Sequence, residues 1–519
     1  MFRWWLFPTL ALFMIEGCQE SAFPANSSTN YLSVIPTAAR AASLPEYTPF
    51  PYGVASGDPL PDAVIIWTML DSLAARTDSS IVWQLSRSPE FTPPLRSDTI
   101  TVTAAHHYRL KEDVRGLQPG TAYYYRFGHR GKWSRTGRTR TAPAREFRGQ
   151  VRLGVVSCNA LEWGYFNAFE VMAQEPFDAI IHLGDYIYEY ASGAYGDTTI
   201  GRLHYPRHEV VTARDYHQRY AQYRRDPQLQ LAHANHPFIC VWDDHEVANN
   251  SHTKGAENHN PELEGDYLTR MTAARAIYYD WMPVRERASG ELYRSFEFGQ
   301  TADLYMLDER LAARTAPAAD FSLAALEDTT KHILGQRQLS WLSGELATAT
   351  GHWQLIGNQV LFAKLDLSNI LPQYAVNLDA WDGFRHEKSQ LIDSLRKYRN
   401  PNTVFLTGDT HCSWYFEVEP SVDQAPPLAH EFGTPSVSSA NYDEFIQGWD
   451  TLTVAKYRLY RDNPHLQFTN LSDHGFLVLD ITPEKLSATF RFLKDIRKPD
   501  LREKSHKTFL LDYVHHHAR

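Results

Sequence analysis

Apolar positions along this chain follow two rhythms. Between residues 47 and 142 they come in short runs set off by turn residues, and Ala63–Thr68, Ile81–Ser86, Thr99–Thr103 and Ala122–Phe127 each read as a strand. From Arg152 onward, short β-branched runs alternate with stretches of helical period. Arg152–Val156, Ala179–Ile181, Phe238–Trp242, Trp353–Ile356 and Thr403–Leu406 read as buried strands. Phe166–Gln174, Thr212–Asp226, Leu268–Trp281, Gln336–Ala347 and Lys388–Tyr398 read as helices between or after them. This alternation predicts an α/β domain with a parallel sheet, in which ligands sit beyond the C-terminal ends of the strands.

Those ends carry the candidate chemistry. The run at Ala179 stops at Leu183-Gly184, and Asp185, Tyr186 and Tyr188 follow at once. Gly184 leaves room for close approach to the backbone, Asp185 can bridge two cations with its two oxygens, and Tyr188 can offer a phenolate. The other strands run into Cys158-Asn159, Asp243-Asp244-His245-Glu246, Asn358-Gln359 and Asp409-Thr410-His411. One such end is an ordinary solvated loop. Five at the same end of one sheet converge, and a fold alone does not need so many charges together. The pattern predicts a metal centre.

Composition narrows the picture. With 519 residues and 43% hydrophobic positions, the chain allows two or three domains and a large core. It has 51 Lys and Arg against 61 Asp and Glu, a net charge of −10, and no long basic run, so nucleic acid is not an expected partner. Four cysteines, Cys18, Cys158, Cys240 and Cys412, make no disulfide framework. A Cys158–Cys412 disulfide competes with the metal reading, because both residues fall near the same sheet edge. Cys240 reads as a buried thiol and Cys412 as packed. The histidines of Ser251–His259 and His515-His516-His517 lack companion ligands at set spacing and read as loop and terminus. The aromatic stretch Tyr442–Tyr460 reads as a lid or packing insert near the site.

At the start, Arg3, the apolar run Trp4–Ile15 and Gly17-Cys18 fit a secretory signal too short for a comfortable membrane span. Ile15-Glu16-Gly17-Cys18 also resembles a bacterial lipobox, in which Glu16 is unusual, so Cys18 is a lipidation candidate. Plain cleavage is the alternative. Residues 19–46 read as a flexible linker. The expectation is an exported monomer in the periplasm or cell envelope, touching membrane only through a lipid anchor.

Taken together, Ser157-Cys158-Asn159, Gly184-Asp185-Tyr186-Ile187-Tyr188, Trp242-Asp243-Asp244-His245-Glu246, Gly357-Asn358-Gln359 and Gly408-Asp409-Thr410-His411 resemble the metallophosphoesterase series. This variant resembles the alkaline phosphatase D (PhoD-like) family. Gly53-Val54-Ala55-Ser56-Gly57-Asp58-Pro59, Asn463-Pro464-His465 and Asn470-Leu471 also match that family, and the resemblance covers about residues 48–497. It implies an α/β, four-layer αββα metallophosphatase sandwich over 149–497, preceded by an all-β domain over 47–142 and followed by a tail over 498–519. The all-β segment resembles a fibronectin type III-like domain. Its Tyr123, after the turn Leu117–Ala122, stands where immunoglobulin-type sandwiches have their tyrosine corner.

Carried over by position, the resemblance implies ferric iron at Cys158, Asp185, Tyr188 and His411. It implies calcium between Asp185, Asp244, Asn358 and Asp409, with one or two calcium ions in all. Thiolate, phenolate, carboxylate and imidazole suit a trivalent transition metal, and all-oxygen donors suit calcium. Asn358 and Asp409 stand where the common series has histidines, which favours calcium over the alternative zinc or manganese. The implied activity is hydrolysis of small phosphomonoesters, phosphodiesters or both, by in-line attack of a metal-activated hydroxide. His245 is then placed to bond a phosphoryl oxygen or protonate the leaving oxygen, and Asn159 to contact phosphate. Two rivals stand beside it: a dedicated phosphodiesterase or phospholipase D-type enzyme, and a non-catalytic phosphate-binding or adhesion protein on the same fold. Missing ligands would favour the last, and none is missing.

Overall fold

A computed structural model describes residues 48–370, 375–398, 401–419, 426–445 and 449–514. The expected signal with Cys18, the linker and His515-His516-His517 lie outside the described residues.

Two large mixed sheets dominate. One has nine strands in the order Glu503–Asp512, Lys485–Leu493, Gly475–Ile481, Val151–Val156, Ala179–His182, Pro237–Cys240, Val54–Gly57, Ala63–Met69 and Arg109–Arg115. Its middle four, from Val151–Val156 to Val54–Gly57, run parallel. The other has seven: Arg294–Phe298, Ala302–Met306, Trp353–Asn358, Thr403–Thr407, Ala429–Gly433, Ser413–Val418 and Leu466–Asn470. Its second to fifth strands run parallel. The sequence reading puts the five motif-bearing strands in one sheet, and the structure divides them between two. Val151–Val156, Ala179–His182 and Pro237–Cys240 lie in the first sheet, Trp353–Asn358 and Thr403–Thr407 in the second. A short buried apolar run marks a strand but not its neighbours, which is why the sequence merged the two.

Alternation along the second sheet shows that both its faces are buried. Leu304, Met306, Leu355 and Leu406 belong to a core shared with Val155, Ile181 and Ile239 of the first sheet. Tyr305, Leu307, Ile356 and Phe405 point into a separate core with Leu339 and Leu342 of helix Gly335–Thr348 and Leu391 and Leu395 of helix Arg385–Tyr398. Tyr442 and Leu459 join this second core, with Leu452 and Tyr460 against it, so the aromatic insert packs. The helix expected over Thr212–Asp226 ends at Tyr223, and a second, unexpected helix follows it. Ala213–Tyr223 starts from a capping box between Thr212 and Asp215, and Asp226 caps the next, Pro227–Asn235.

The first β segment is joined to the rest by backbone. It has its own core, with Val64, Ile66, Ile81, Trp83, Leu85, Tyr125 and Phe127, and a separate five-stranded sheet built on Ser80–Ser86 and Ala122–His129. Its Tyr123 hydroxyl accepts from the Gln118 amide at 2.9 Å, the contact of a tyrosine corner. Yet Val54–Gly57, Ala63–Met69 and Arg109–Arg115 extend the nine-stranded sheet. The join explains Gly57-Asp58. A Cβ on Gly57 would sit 2.2 Å from the Pro283 carbonyl oxygen, and Asp58 takes both Arg294 Nε at 3.0 Å and Nη2 at 2.6 Å.

The far end also differs from expectation. Much of the expected tail 498–519 is strand: Glu503–Asp512 pairs antiparallel with Lys485–Leu493, and Phe509 packs on Phe432 and Phe490. Most of its residues are exposed, so no apolar run announced it.

Candidate metal centre

The strand ends from both sheets meet, and they meet under backbone strain. Cys158, Asp185, Asp409 and His411 have φ of 61°, 56°, 61° and 63°, the left-handed region that non-glycine residues seldom occupy. Gly184, at φ 106°, has no alternative: a Cβ there would lie 2.4 Å from Asp243 Cβ and backbone nitrogen. Each sharp turn lets a strand stop and aim its next side chain inward. Three buried groups of ligand-capable atoms result, Cys158–Asp185–His411, Asp185–Asp244–His245 and Asp243–Asp244–Asp409, with the atoms in each group within 4.8 Å of one another. Asp185 belongs to the first two.

In the first group, the Tyr188 hydroxyl donates to Asp185 Oδ2 at 2.9 Å and lies 3.3 Å from His411 Nε2. His411 Nδ1 donates to the Ala440 carbonyl at 2.8 Å, which leaves the Nε2 lone pair facing the group. The single Ser439 hydroxyl proton is shared between the Tyr188 hydroxyl at 2.5 Å and the Cys158 carbonyl at 3.0 Å. Buried Arg219 donates to the carbonyls of Tyr188 and, at 3.0 Å, Tyr190. The sequence reading missed Ser439, Ala440 and Arg219, because hydroxyls, carbonyls and an arginine on a helix face carry no ligand signature.

The Asp243–Asp244–Asp409 group is acidic. Asp244 Oδ2 accepts from the Asn250 amide at 2.7 Å. The amide of Asn358 is held in one orientation: Nδ2 donates to the Val360 carbonyl and to Thr407 Oγ1 at 3.1 Å, and Oδ1 accepts from Trp381 Nε1 at 3.0 Å. Since an indole only donates, the atom it touches is the amide oxygen, which keeps one lone pair. Arg310, fully buried, donates from Nε to Asp243 at 2.6 Å and from Nη1 to Asp379 at 2.6 Å. Its Nη2 lies 3.8 Å from Asp244 and 3.6 Å from Asp409. Neither Arg310 nor Asp379 was visible as a site residue in sequence.

His245 joins Asp185 and Asp244 in the remaining group. Its Nδ1 donates to Glu189 Oε2 at 2.6 Å, its ring stacks on Tyr188 at 4.3 Å, and its Nε2 lies 3.9 Å from Asp244. Burial pushes the Glu189 carboxyl up, but His245, Arg270 and the Asn249 amide together hold it below the usual value. Glu189, the residue after Tyr188, could have been noticed from that position. Asn159 does something other than expected. Its Nδ2 donates to the Tyr186 carbonyl at 2.8 Å and its Oδ1 meets His182 Nε2 at 2.7 Å, so the side chain braces the Asp185–Tyr188 loop. Glu246 braces the same loop, accepting from the amides of Asp185, Tyr186 and Asp243 at 3.1, 2.6 and 2.7 Å. Cys158, Cys240 and Cys412 are free thiols, so the competing Cys158–Cys412 disulfide is not formed. The histidines of Ser251–His259 enter no ligand cluster among the described residues.

These residues fit cations. Asp185 Oδ1 and Asp409 Oδ2 are buried with no hydrogen-bond partner. Burial, then the Asp185 charge beside it, pushes the Cys158 thiol well up. Burial, then the charges of Asp244 and Asp243, pushes Asp185 the same way. A bound cation reverses that balance and favours thiolate and carboxylate.

Fold and centre together define an α/β protein of the phosphatase class. A purple acid phosphatase from yellow lupin (Lupinus luteus) seeds shares the fold, with a TM-score of 0.55 at 12% identity over 88% of this chain and 73% of that one. The solved structure of PhoD superposes with a TM-score of 0.80 at 30% identity, over 91% of this chain and 92% of that one. Alkaline phosphatase D of Bacillus subtilis (strain 168) is 31% identical over 509 residues, 94% of this chain and 83% of its own length. The PhoD-like phosphatase family matches residues 153–490, its N-terminal domain matches residues 37–143, and the chain belongs to that family.

Proposed function

We propose that this chain is an exported, metal-dependent phosphatase that hydrolyses small phosphomonoesters, phosphodiesters or both. The observation that carries the reading is Asp185, shared by two buried ligand groups and holding one oxygen without a hydrogen-bond partner. Cys158, Asp185, Tyr188 and His411 would hold ferric iron, and Asp185, Asp244, Asn358 and Asp409 one calcium ion, with a second calcium possible in principle at the same place. Cations bound there lower the pKa of water and neutralise charge developing on the phosphoryl group. The chain's own contribution is positional. His245, held by Glu189, presents Nε2 beside Asp244, where it can give a proton to the leaving oxygen. The left-handed turns fix the ligands before substrate arrives.

The cores on both faces of the seven-stranded sheet support a four-layer αββα arrangement. The separate core of residues 47–142 supports a fibronectin type III-like β-sandwich that shares one sheet with the phosphatase domain. No helix among the described residues is long and apolar enough to cross a membrane. Attachment would rest on lipid at Cys18.

Elemental analysis of exported protein, with an absorption spectrum and phosphate release from a monoester and a diester, tests the reading. Iron and calcium with a charge-transfer band, and activity on either ester, are expected. Colourless, fully active protein containing only zinc overturns the metal assignment. Wild-type protein should enter the membrane fraction and Cys18→Ala should not; equal soluble recovery leaves only a cleaved signal.

A further inference from the structure

The sequence places two aspartates side by side, Asp243 and Asp244, and both contribute to the ligand group with Asp409. A cation could take either. Arg310 makes the choice. Its Nε lies 2.6 Å from Asp243 Oδ1, a charge-assisted hydrogen bond, whereas its nearest approach to Asp244 is 3.8 Å and to Asp409 is 3.6 Å. Its position is not adjustable. Nη1 is tied at 2.6 Å to Asp379 Oδ2, and Asp379 Oδ1 is tied at 2.6 Å to Arg314 Nη2. Arg314 in turn holds the Asp379 carbonyl at 2.6 Å and the Glu309 carbonyl at 3.3 Å. Both guanidinium groups are fully buried. A guanidinium does not lose its proton in a protein, so a permanent positive charge stands inside the acidic group.

We infer that Arg310 is a fixed counter-cation of the second metal site: it withdraws Asp243 from the ligand set and weakens the hold on a divalent cation. The inference rests on the proposed cation site at Asp244, Asn358 and Asp409. Its physical content is a sign. Taking away Arg310 removes a repelling charge and releases a carboxylate to ligate, and both effects tighten binding. A residue that only braced the loops would do the opposite, since its loss would scatter the ligands and loosen binding.

The test measures calcium affinity of the iron-loaded protein by competition with a chromophoric chelator. Arg310→Met should bind calcium more tightly by about tenfold or more. Asp243→Asn, which leaves Arg310 uncompensated, should bind it more weakly by about tenfold. Arg310→Met with Asp243→Asn should return close to wild type, because the gain and the loss cancel, whereas two merely damaging changes would add up to still weaker binding. Arg310→Lys keeps the charge and should stay near wild type, and it carries the test if the methionine variant does not fold. Weaker binding in Arg310→Met and in the double variant, or weak binding in Arg310→Lys, overturns the counter-cation role. Wild-type protein that binds no calcium overturns the site itself, and the inference with it.

Discussion

The two metal sites proposed for this centre share Asp185 and are otherwise built by different means. The first mixes a thiol, a phenol and an imidazole with one carboxylate, and its side chains are held by neutral partners, the Ser439 hydroxyl and the Ala440 carbonyl, while Asn159 and Arg219 brace the backbone of the adjoining loop. The second gathers carboxylates and an amide, and charged or indole donors hold it: Arg310 on Asp243, Trp381 on Asn358. Soft and anionic donors tolerate a dry, neutral surround because covalency contributes to metal binding. Crowded carboxylates need a positive charge nearby even before any ion arrives. On the proposed assignment, the first site would exchange its ion slowly and the second readily.

Removing the shared residue should erase the contrast. Asp185→Ala is expected to lose both metals and reduce turnover to background, as read by elemental analysis and phosphate release. Loss of only one metal would mean the groups are not joined through Asp185.

Chelation should then separate the two. A mild chelator is expected to abolish activity while the iron colour stays, and added calcium to restore turnover. Recovery with manganese or zinc but never with calcium would sink the assignment of the second group. Tyr188→Phe should change the colour without altering the calcium response.

His245 is not among the ligands proposed for either metal, although it shares a cluster with Asp185 and Asp244, so His245→Ala should keep both metals while kcat falls by roughly 10²–10⁴. The loss should shrink for substrates with good leaving groups. An equal loss on good and poor leaving groups would leave His245 only a phosphate-positioning role.

The smallest effects should come from the supports, and they should be site-specific. Trp381→Phe strips a donor from two buried oxygens, Asn358 Oδ1 and Glu309 Oε1, at 3.0 Å each. It should cost roughly 1–3 kcal/mol of stability and weaken calcium binding without moving the iron band. Ser439→Ala removes one donor from Tyr188, should cost about 1 kcal/mol, and should shift the band without touching calcium affinity. Thermal unfolding, the absorption spectrum and calcium titration of both variants check this. If each support disturbs both metals alike, the two groups form one indivisible site.

Much of this centre was already present in the order of residues. Asn358 ends a buried strand and Cys158, Asp185, Tyr188, Asp244, His245, Asp409 and His411 follow others, and period and punctuation alone located those strand ends. The reason is local: a buried strand must be apolar, so the first polar residues after it stand out, and in an α/β fold those residues lie at the ligand-binding edge. What the sequence could not decide depends on which elements become neighbours. Three strand ends come from one sheet and two from the other, a partition set by hydrogen-bond pairing between segments far apart in the chain. Residues 54–57, 63–69 and 109–115 extend the sheet of a domain they precede, and the exposed strand Glu503–Asp512 closes its other edge. Arg310, Trp381, Ser439 and Glu189 became part of the centre only through tertiary contacts at 2.5–3.0 Å across long stretches of chain. A ligand advertises itself by its own chemistry, whereas a support is defined by what it touches. Only the folded chain settles that.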